Sequence, residues 1–188
     1  MVAIDGKALR GSSDAPKGKG AIYLVSAWAC GNGLVLGKSK VGEKSNEITA
    51  IAKLLEVLVL KGCIVTIDAM GCQKQIAHQI IEQEADYMLA LKANQPCLLA
   101  AVQQSFALEK PLEIDSGHGR IEKRTCSVIT QLQWVEQAAD WPKLTTLIRS
   151  QSHTQEKASG KISTGCRFLS AVCSPTPRKS SHSLSLGY

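Results

Sequence analysis

The sequence predicts an α/β fold built on a mixed β-sheet, with an inserted β-rich region towards the C-terminus. Residues 1–41 alternate short apolar, β-prone segments with glycine-rich turns, which is typical of an antiparallel meander. Residues 46–108 alternate segments of helical period with almost continuous apolar runs, which is typical of buried parallel strands joined by helices. A chain of 188 residues, 44% of them hydrophobic, can bury the core that such a sheet requires.

Three strands are predicted for the meander. Val2–Asp5 and Ile22–Cys30 are apolar and β-prone, and Leu34–Val41 follows the turn signal Gly31-Asn32-Gly33. Between the first two strands, Gly6–Gly20 holds four glycines, a proline and several serines and lysines, and is predicted to be a loop.

Helices then alternate with strands. The first helix carries its apolar face on Ile48–Leu58, is capped by Ser45 or Asn46, and is predicted to end at Lys61-Gly62. The remaining predicted elements are strand Cys63–Asp68, helix Gln73–Glu82, strand Asp86–Lys92 and helix Cys97–Leu108, with Asn94-Gln95-Pro96 as the break before that last helix. The β-β-β-α-β-α-β-α order matches the ribonuclease-H-like arrangement. A right-handed crossover would lay Cys63–Asp68 beside the first strand.

The second half divides into two further regions. Residues 111–173 are predicted to form the inserted β-rich region, with strands at Arg120–Ile129, its partner Gln131–Val135, Leu144–Arg149 and Arg167–Val172. Residues 174–188 are rich in serine and proline and are predicted to be a disordered tail. Residues 1–110 would then form the ribonuclease-H-like core.

Composition narrows the class of protein. The net charge is +6, of which residues 1–150 contribute +2 and residues 151–188 contribute +4. This balance permits an anionic partner such as nucleic acid, but it also fits a solvated basic tail. No bilayer-length apolar run or signal region is present, and none of the seven cysteines forms a Cys-x-x-Cys pair. These features predict a cytoplasmic protein with reduced thiols and no membrane partner.

Asp5 and Asp68 carry the clearest chemistry. Each ends an apolar strand and precedes a small residue, so neighbouring strands would bring both carboxylates to one edge of the sheet. Two carboxylates there repel each other, and a hard divalent cation removes that cost. A pair of such ions supports phosphoryl transfer. The alternative from spacing alone is that Asp5 is a turn residue and Asp68 a helix cap.

Five segments carry a family resemblance. In chain order they read Ala-Ile-Asp-Gly-Lys-Ala-Leu-Arg-Gly-Ser, Lys-Ser-Asn-Glu-Ile-Thr-Ala-Ile, Gly-Cys-Ile-Val-Thr-Ile-Asp-Ala-Met-Gly-Cys-Gln, Leu-Ala-Leu-Lys-Ala-Asn-Gln and His-Gly-Arg-Ile-Glu-Lys-Arg. Over residues 2–172 the chain resembles the ISAs-type insertion-sequence transposases of the DDE superfamily, which include the H-repeat-associated proteins. The resemblance implies a ribonuclease-H-like core, Mg²⁺ or Mn²⁺ held by Asp5 and Asp68, and DNA (insertion-sequence ends) as the partner.

The chain departs from that family at both ends. Relatives carry a domain before the Ile-Asp-Gly-Lys motif, and their third catalytic acid lies in a segment like His-Trp-x-Ile-Glu-Asn that is missing here. Pro175–Ser180 reads as a one-base frameshift of a family-like segment, a hypothesis that the gene's nucleotide sequence tests. We therefore expect a transposase-like chain truncated at both ends and catalytically defective. Glu122 is a candidate substitute for the lost acid.

Several basic and polar residues are predicted to contact DNA. They are Lys7, Arg10, Lys92, Asn94, Gln95, Arg120, Lys123 and Arg124. Those before residue 96 lie in the loop after Asp5 or at the end of the fifth strand, and the other three lie on a predicted basic strand. A plain solvated loop or strand face explains the charged residues equally well.

Four functions remain open. The leading one is a transposase-like protein whose ancestral activity is metal-dependent DNA cleavage and strand transfer. The second is a non-catalytic DNA-binding remnant that associates with itself or pairs with a full-length transposase. The third is a metal nuclease that recruits Glu122. The last is a product without function, made unstable by exposed apolar sheet surface.

Overall fold

The computed structural model describes residues 1–12, 21–42, 46–106, 112–118, 120–156 and 162–172. For residues 112–118, 120–123 and 156 it describes the backbone alone. The predicted tail at residues 174–188 lies outside these ranges. The described strands form one nine-stranded mixed sheet with three helices.

The bounds of the elements follow chain order. The strands are β1 (Val2–Ala8), β2 (Tyr23–Ala29), β3 (Leu34–Lys40), β4 (Ile64–Ile67), β5 (Asp86–Leu91), β6 (Leu112–His118), β7 (Arg120–Ile129), β8 (Thr146–Glu156) and β9 (Ile162–Ala171). The helices are α1 (Glu47–Glu56), α2 (Lys74–Glu82) and α3 (Pro96–Ser105), with short 3-10 helices at Ala69–Gly71 and Glu136–Asp140. Across the sheet the strands lie in the order β3-β2-β1-β4-β5-β9-β8-β7-β6.

The predicted crossover is confirmed at the centre of the sheet. β1 pairs antiparallel with β2 and parallel with β4, where Val2 lies opposite Val65 and Ile4 opposite Ile67. These four side chains point into the core together, because paired residues on neighbouring strands share a face. β5 continues the parallel pairing on the far side of β4.

The loop predicted at Gly6–Gly20 begins later than predicted. Gly6, Lys7 and Ala8 continue β1 and pair with β2 as far as Tyr23. The glycine-rich composition signalled a loop, but pairing with a strand already in place keeps these residues extended. Residues 13–20 lie outside the described ranges.

Helix α1 covers β2 and β3, and it is shorter than predicted. Asn46 caps it, since its side chain accepts a hydrogen bond from the Thr49 backbone N–H at 2.9 Å. The helix ends at Val57 rather than at Lys61-Gly62. Val57 and Val59 are 76% and 93% exposed, so these β-branched residues gain no packing energy that would favour another helical turn.

All three helices bury their apolar sides in one core. That core joins them to alternate residues of the central strands, including Val25, Val65 and Leu89. We call the opposite side of the sheet the outer face; it holds the residues that alternate with the core positions. Its apolar members Trp28, Ile64 and Val128 are 43%, 39% and 49% exposed. None of the helices in the described ranges has the length and apolarity needed to span a membrane.

The β-rich region continues the same sheet. β9 pairs antiparallel with β5, and β8, β7 and β6 follow outward in turn. Arg149 on β8 connects this region to α3: its guanidinium lies 5.0 Å from the Phe106 ring centroid and donates a 2.8 Å hydrogen bond to the Phe106 carbonyl.

The predicted strand Gln131–Val135 is wrong. These residues form a turn before the 3-10 helix, and β7 pairs instead with β6 and β8. The segment was predicted as the partner of Arg120–Ile129, but its apolar residues Leu132 and Val135 pack against the core from this turn. The strands predicted at Leu144–Arg149 and Arg167–Val172 are confirmed except at one end each, because β8 begins at Thr146 and β9 ends at Ala171.

Shortening a core residue of α1 tests this packing. Leu55 is fully buried, so we expect Leu55→Ala to lower the free energy of unfolding by about 2–5 kcal/mol. Urea denaturation measures the change. Val59→Ala, at an exposed site, is the matched control and should shift it by less than about 0.5 kcal/mol. Equal effects of the two changes would contradict the packing of α1 described above.

Candidate functional site

Asp5 on β1 and Asp68, which directly follows β4, lie at matching positions of the two central strands. Ile4 pairs with Ile67, so the next residue along β1 is Asp5 and the first residue after β4 is Asp68. Adjacent strands are about 4.8 Å apart, which places the two backbones side by side. Both residues are exposed, and Asp5 alternates with the inward-facing Ile4. The two carboxylates therefore share one end of the β1–β4 pair.

The Asp68 side chain is oriented by local hydrogen bonds. It caps the 3-10 helix that follows β4, where one carboxylate oxygen accepts from the Met70 backbone N–H at 3.1 Å. Asp68 thus does cap a helix, as the alternative interpretation had it. The cap uses one carboxylate oxygen of Asp68 and leaves the other available for a ligand. Asp5, by contrast, lies within β1 rather than in a turn.

Asn94 and Gln95 hold the loop after Asp68. The Asn94 side-chain amide donates to the Ala69 carbonyl at 2.6 Å, and that of Gln95 donates to the Cys72 carbonyl at 2.9 Å. The DNA contacts expected of both residues stay a prediction. In the structure their side-chain N–H groups donate to the backbone of the segment that follows Asp68.

A third carboxyl group, Glu47, approaches the two aspartates. It lies in the first turn of α1, directly over Gly6, where an added Cβ would overlap its carboxyl group. Burial raises the pKa of Glu47, and the charges of Asp68 and then Asp5 raise it further. The sequence indicated Glu47 only as a favourable acid near a helix N-terminus. Its position over Gly6 depends on a contact between β1 and α1 that periodicity does not reveal.

The chemistry of these donors fits a hard divalent cation. Carboxylate oxygens are the ligands that Mg²⁺ and Mn²⁺ prefer, and the repulsion that raises the pKa of Glu47 is a cost that a cation would remove. Within the described ranges, however, no group of three His, Cys, Asp or Glu side chains is close enough to form a complete metal cluster. The described residues therefore bring carboxyl groups near one another without forming a metal site.

Basic residues flank the carboxylates on the outer face. Lys7 follows Asp5 by two positions on β1 and is exposed, and Arg10 is exposed in the turn after β1. Lys38 and Lys40 on β3, which were not predicted, pair with Ser26 and Leu24 on β2, the partners of Asp5 and Lys7. The alternation Lys-Ser-Lys in this strand was the available signal.

The other predicted contacts lie on or towards the β-rich region. Lys92 is exposed one residue after β5, and Arg124 is exposed on β7. Arg120, Lys123 and Glu122 also lie on β7, with side chains outside the description. β7 is five strands from β1, about 24 Å at the usual spacing. This separation disfavours a metal shared by Glu122 and Asp5.

Cys72 and Tyr87 are buried and chemically quiet. Burial raises the pKa of the Cys72 thiol to about 12, and the neighbouring Ser170 hydroxyl opposes this by a smaller amount. Burial also raises the pKa of Tyr87, whose hydroxyl donates to the Pro142 carbonyl at 3.0 Å. Neither group is ionised near neutral pH, so neither acts as a nucleophile. The six cysteines in the described ranges are all free thiols.

Comparison with protein families adds an independent finding. Residues 1–166 match the model of the family described as the transposase DDE domain. The match includes Asp5, Glu47 and Asp68, and it extends through the β-rich region as far as β9.

Three curated relatives show the extent of similarity. A protein of Xanthobacter autotrophicus called "uncharacterized protein in dhlA 3′ region" is 36% identical over 182 residues, 93% of this chain and 61% of its own length. Putative transposase YncI of Escherichia coli K12 is 56% identical over 106 residues, 56% of this chain and 43% of its own. The H repeat-associated putative transposase YhhI of the same strain is 43% identical over 158 residues, 78% of this chain and 41% of its own. The chain thus spans between two fifths and two thirds of these relatives.

The crowded carboxylates predict a pH dependence of stability. Because the pKa of Glu47 is raised in the folded state, folding is favoured below its ordinary pKa and that stability is lost as pH rises through the folded-state pKa. We expect Glu47→Gln to remove this loss, so that its melting temperature exceeds that of the wild type at neutral pH.

Thermal melts between pH 4 and pH 8, without divalent cations, measure this effect. Glu136→Gln, which removes an exposed acid from the first turn of a 3-10 helix, should keep the profile of the wild type. A Glu47→Gln profile parallel to that of the wild type would contradict the proximity of the three acids.

Proposed function

Because the chain belongs to the transposase DDE domain family, we propose that it acts in metal-dependent cleavage and strand transfer of DNA. The observation that carries this proposal is the register of β1 and β4, which aligns Asp5 with Asp68 on adjacent parallel strands. The strand order β3-β2-β1-β4-β5 supports the finer assignment of the first half as a ribonuclease-H-like core. The chain spans only part of the length of its relatives. Any activity of the whole protein is therefore part of this proposal.

In this proposal Asp5 and Asp68 hold Mg²⁺ or Mn²⁺, and Glu47 is a further carboxyl group close enough for the charges of both aspartates to act on it. When bound, the cation supplies Lewis-acid chemistry to phosphodiester cleavage. Glu47 is preferred to Glu122, because Glu47 approaches both aspartates whereas β7 is five strands away. Gly6 leaves the space that the Glu47 carboxyl group occupies.

The remaining residues position Asp68 or bind DNA. Asn94 and Gln95 fix the loop that presents Asp68 through hydrogen bonds to its carbonyls. The exposed ammonium groups of Lys7, Lys38 and Lys40 lie beside the carboxylates, where they would bind phosphates of the DNA backbone. Charge neutralisation by these lysines would bring a DNA strand next to acids that otherwise repel it.

A second candidate is a non-catalytic DNA-binding module, alone or paired with a full-length transposase. The observation that favours it is the incomplete ligand set within the described residues. Such a protein would bind DNA through the basic residues of the outer face, while its affinity for the cation would be too low for catalysis.

Removing either aspartate separates these functions. We expect Asp5→Asn and Asp68→Asn to reduce Mn²⁺-dependent nicking of supercoiled plasmid by more than about 100-fold, the upper range for loss of a supporting group at a metal site. Both variants should also lose the rise in melting temperature that Mn²⁺ gives the wild type.

Glu56→Gln, an exposed acid at the far end of α1, is the matched control and should behave like the wild type. Nicking that survives in both aspartate variants would overturn the catalytic proposal. Salt-dependent DNA binding by a wild type that does not nick would support the second candidate.

A further inference from the structure

A polar cavity opens on the outer face of the β-rich region. Its volume is about 160 Å³, and it is lined by Arg124, Ser150, Ser152 and Arg167. These residues lie on three consecutive strands, where Arg124 is opposite Ser152 and Ser150 is opposite Arg167. The lining residues therefore lie on paired strands of a regular sheet, and the strand pairing fixes the positions of their Cα atoms.

The backbone of β9 contributes to the shape of the cavity. Gly165 lies opposite Ser152, and a Cβ at Gly165 would come within 2.8 Å of the Ser152 hydroxyl oxygen. Glycine at this position leaves that hydroxyl group free to turn towards a ligand. Since a water molecule takes up about 30 Å³, a cavity of about 160 Å³ has room for about five heavy atoms, the number in a phosphate group.

The lining has the chemistry of an oxyanion site. Two exposed guanidinium groups supply positive charge and paired N–H donors, and two half-buried serine hydroxyls add O–H donors. Arginine forks match phosphate oxygens in bidentate geometry. Among the described residues that line the cavity, none has an acidic side chain.

The cavity lies on the same face of the sheet as Asp5. Arg167 alternates with Phe168, which packs against the core, just as Asp5 alternates with Ile4. Three strand steps separate β1 from β9, and five separate it from β7. At about 4.8 Å for each step, the cavity is about 15–25 Å from Asp5. DNA carries a phosphate every 3.4 Å of its axis on each strand, so this distance spans about four to seven nucleotides.

Lys92 extends the positive surface towards the carboxylates. Together with Arg167 it borders a neighbouring cavity of about 250 Å³ at the end of β5. Basic side chains thus occur on β7, on β9 and directly after β5, and β5 is the neighbour of β4, which leads to Asp68.

We propose that Arg124, Ser150, Ser152 and Arg167 form a subsite for a backbone phosphate of DNA, about four to seven nucleotides from the phosphate at Asp5 and Asp68. This inference rests on the proposed function for its ligand. It assigns the β-rich region the task of fixing the register of the DNA strand, because a phosphate contact positions DNA without reading its sequence.

Salt titrations of DNA binding test the subsite. Fluorescence anisotropy with a labelled 30-base-pair duplex gives the slope of log K against log salt concentration, to which each phosphate contact contributes about 0.9. We expect Arg124→Gln and Arg167→Gln each to lower the magnitude of this slope by about 0.9, equally for duplexes of unrelated sequence. Lys53→Gln, which removes one exposed charge from α1 on the core side of the sheet, should leave the slope unchanged.

The outcomes separate this subsite from the proposed function. Wild-type slopes for both arginine variants, with melting temperatures also unchanged, would overturn the subsite while DNA binding itself stands. A wild type that does not bind DNA even at 20 mM salt would overturn both. If 10 mM inorganic phosphate raises the melting temperature of the wild type but not of Arg167→Gln, and the DNA slope does not change, the cavity binds a free anion and its assignment to DNA is wrong.

Discussion

The parallel pairing of β1 with β4 is the constraint on which the other features depend. It joins the antiparallel meander to the helix-linked strands, and it requires α1 to cross over the sheet between them. The same register sets Asp5 beside Asp68 and brings the start of α1 over Gly6. A shift of one residue would turn Ile4 or Ile67 out of the core and separate the carboxylates. Burial of the apolar residues therefore enforces the geometry of the acids.

The carboxylates are held together at an electrostatic cost. Burial and the two aspartates both oppose ionisation of Glu47, and the surrounding packing maintains this arrangement. Part of that support comes from Asn94 and Gln95, whose amides tie the end of β5 to the loop after Asp68. Strain of this kind is typical of sites whose geometry serves a ligand rather than stability.

The central elements could be predicted from sequence because each carries a strong local pattern. The apolar run that contains Val65 and Ile67 indicated a strand buried within the sheet, and the crossover rule then placed it beside β1. The family resemblance identified Asp5 and Asp68 as candidate metal ligands. Boundaries were less certain: β1 continued past Gly6 because β2 offered a partner, and α1 stopped before an exposed valine pair.

Features that depend on contacts between distant segments could not be predicted from local patterns. Glu47 joins the carboxylates only because α1 packs over Gly6. Gln131–Val135 was predicted to pair with β7, but the partners of β7 are β6 and β8, and Leu132 and Val135 pack against the core from a turn. The cavity at Arg124 and Arg167 combines residues that are 43 positions apart in the chain, and only the order of the strands brings them together.

The continuity of the nine-stranded sheet has a consequence for how DNA would approach. Neighbouring strands rotate by roughly 20–25°, so the outer face turns through roughly 100–125° between β1 and β7. At this average twist the carboxylates and the arginine cavity would face nearly perpendicular directions. The backbone of a duplex also changes direction as it winds around the helix axis, so one strand can meet each site in turn. The twist of the sheet thus favours a ligand whose backbone winds over one whose backbone runs straight.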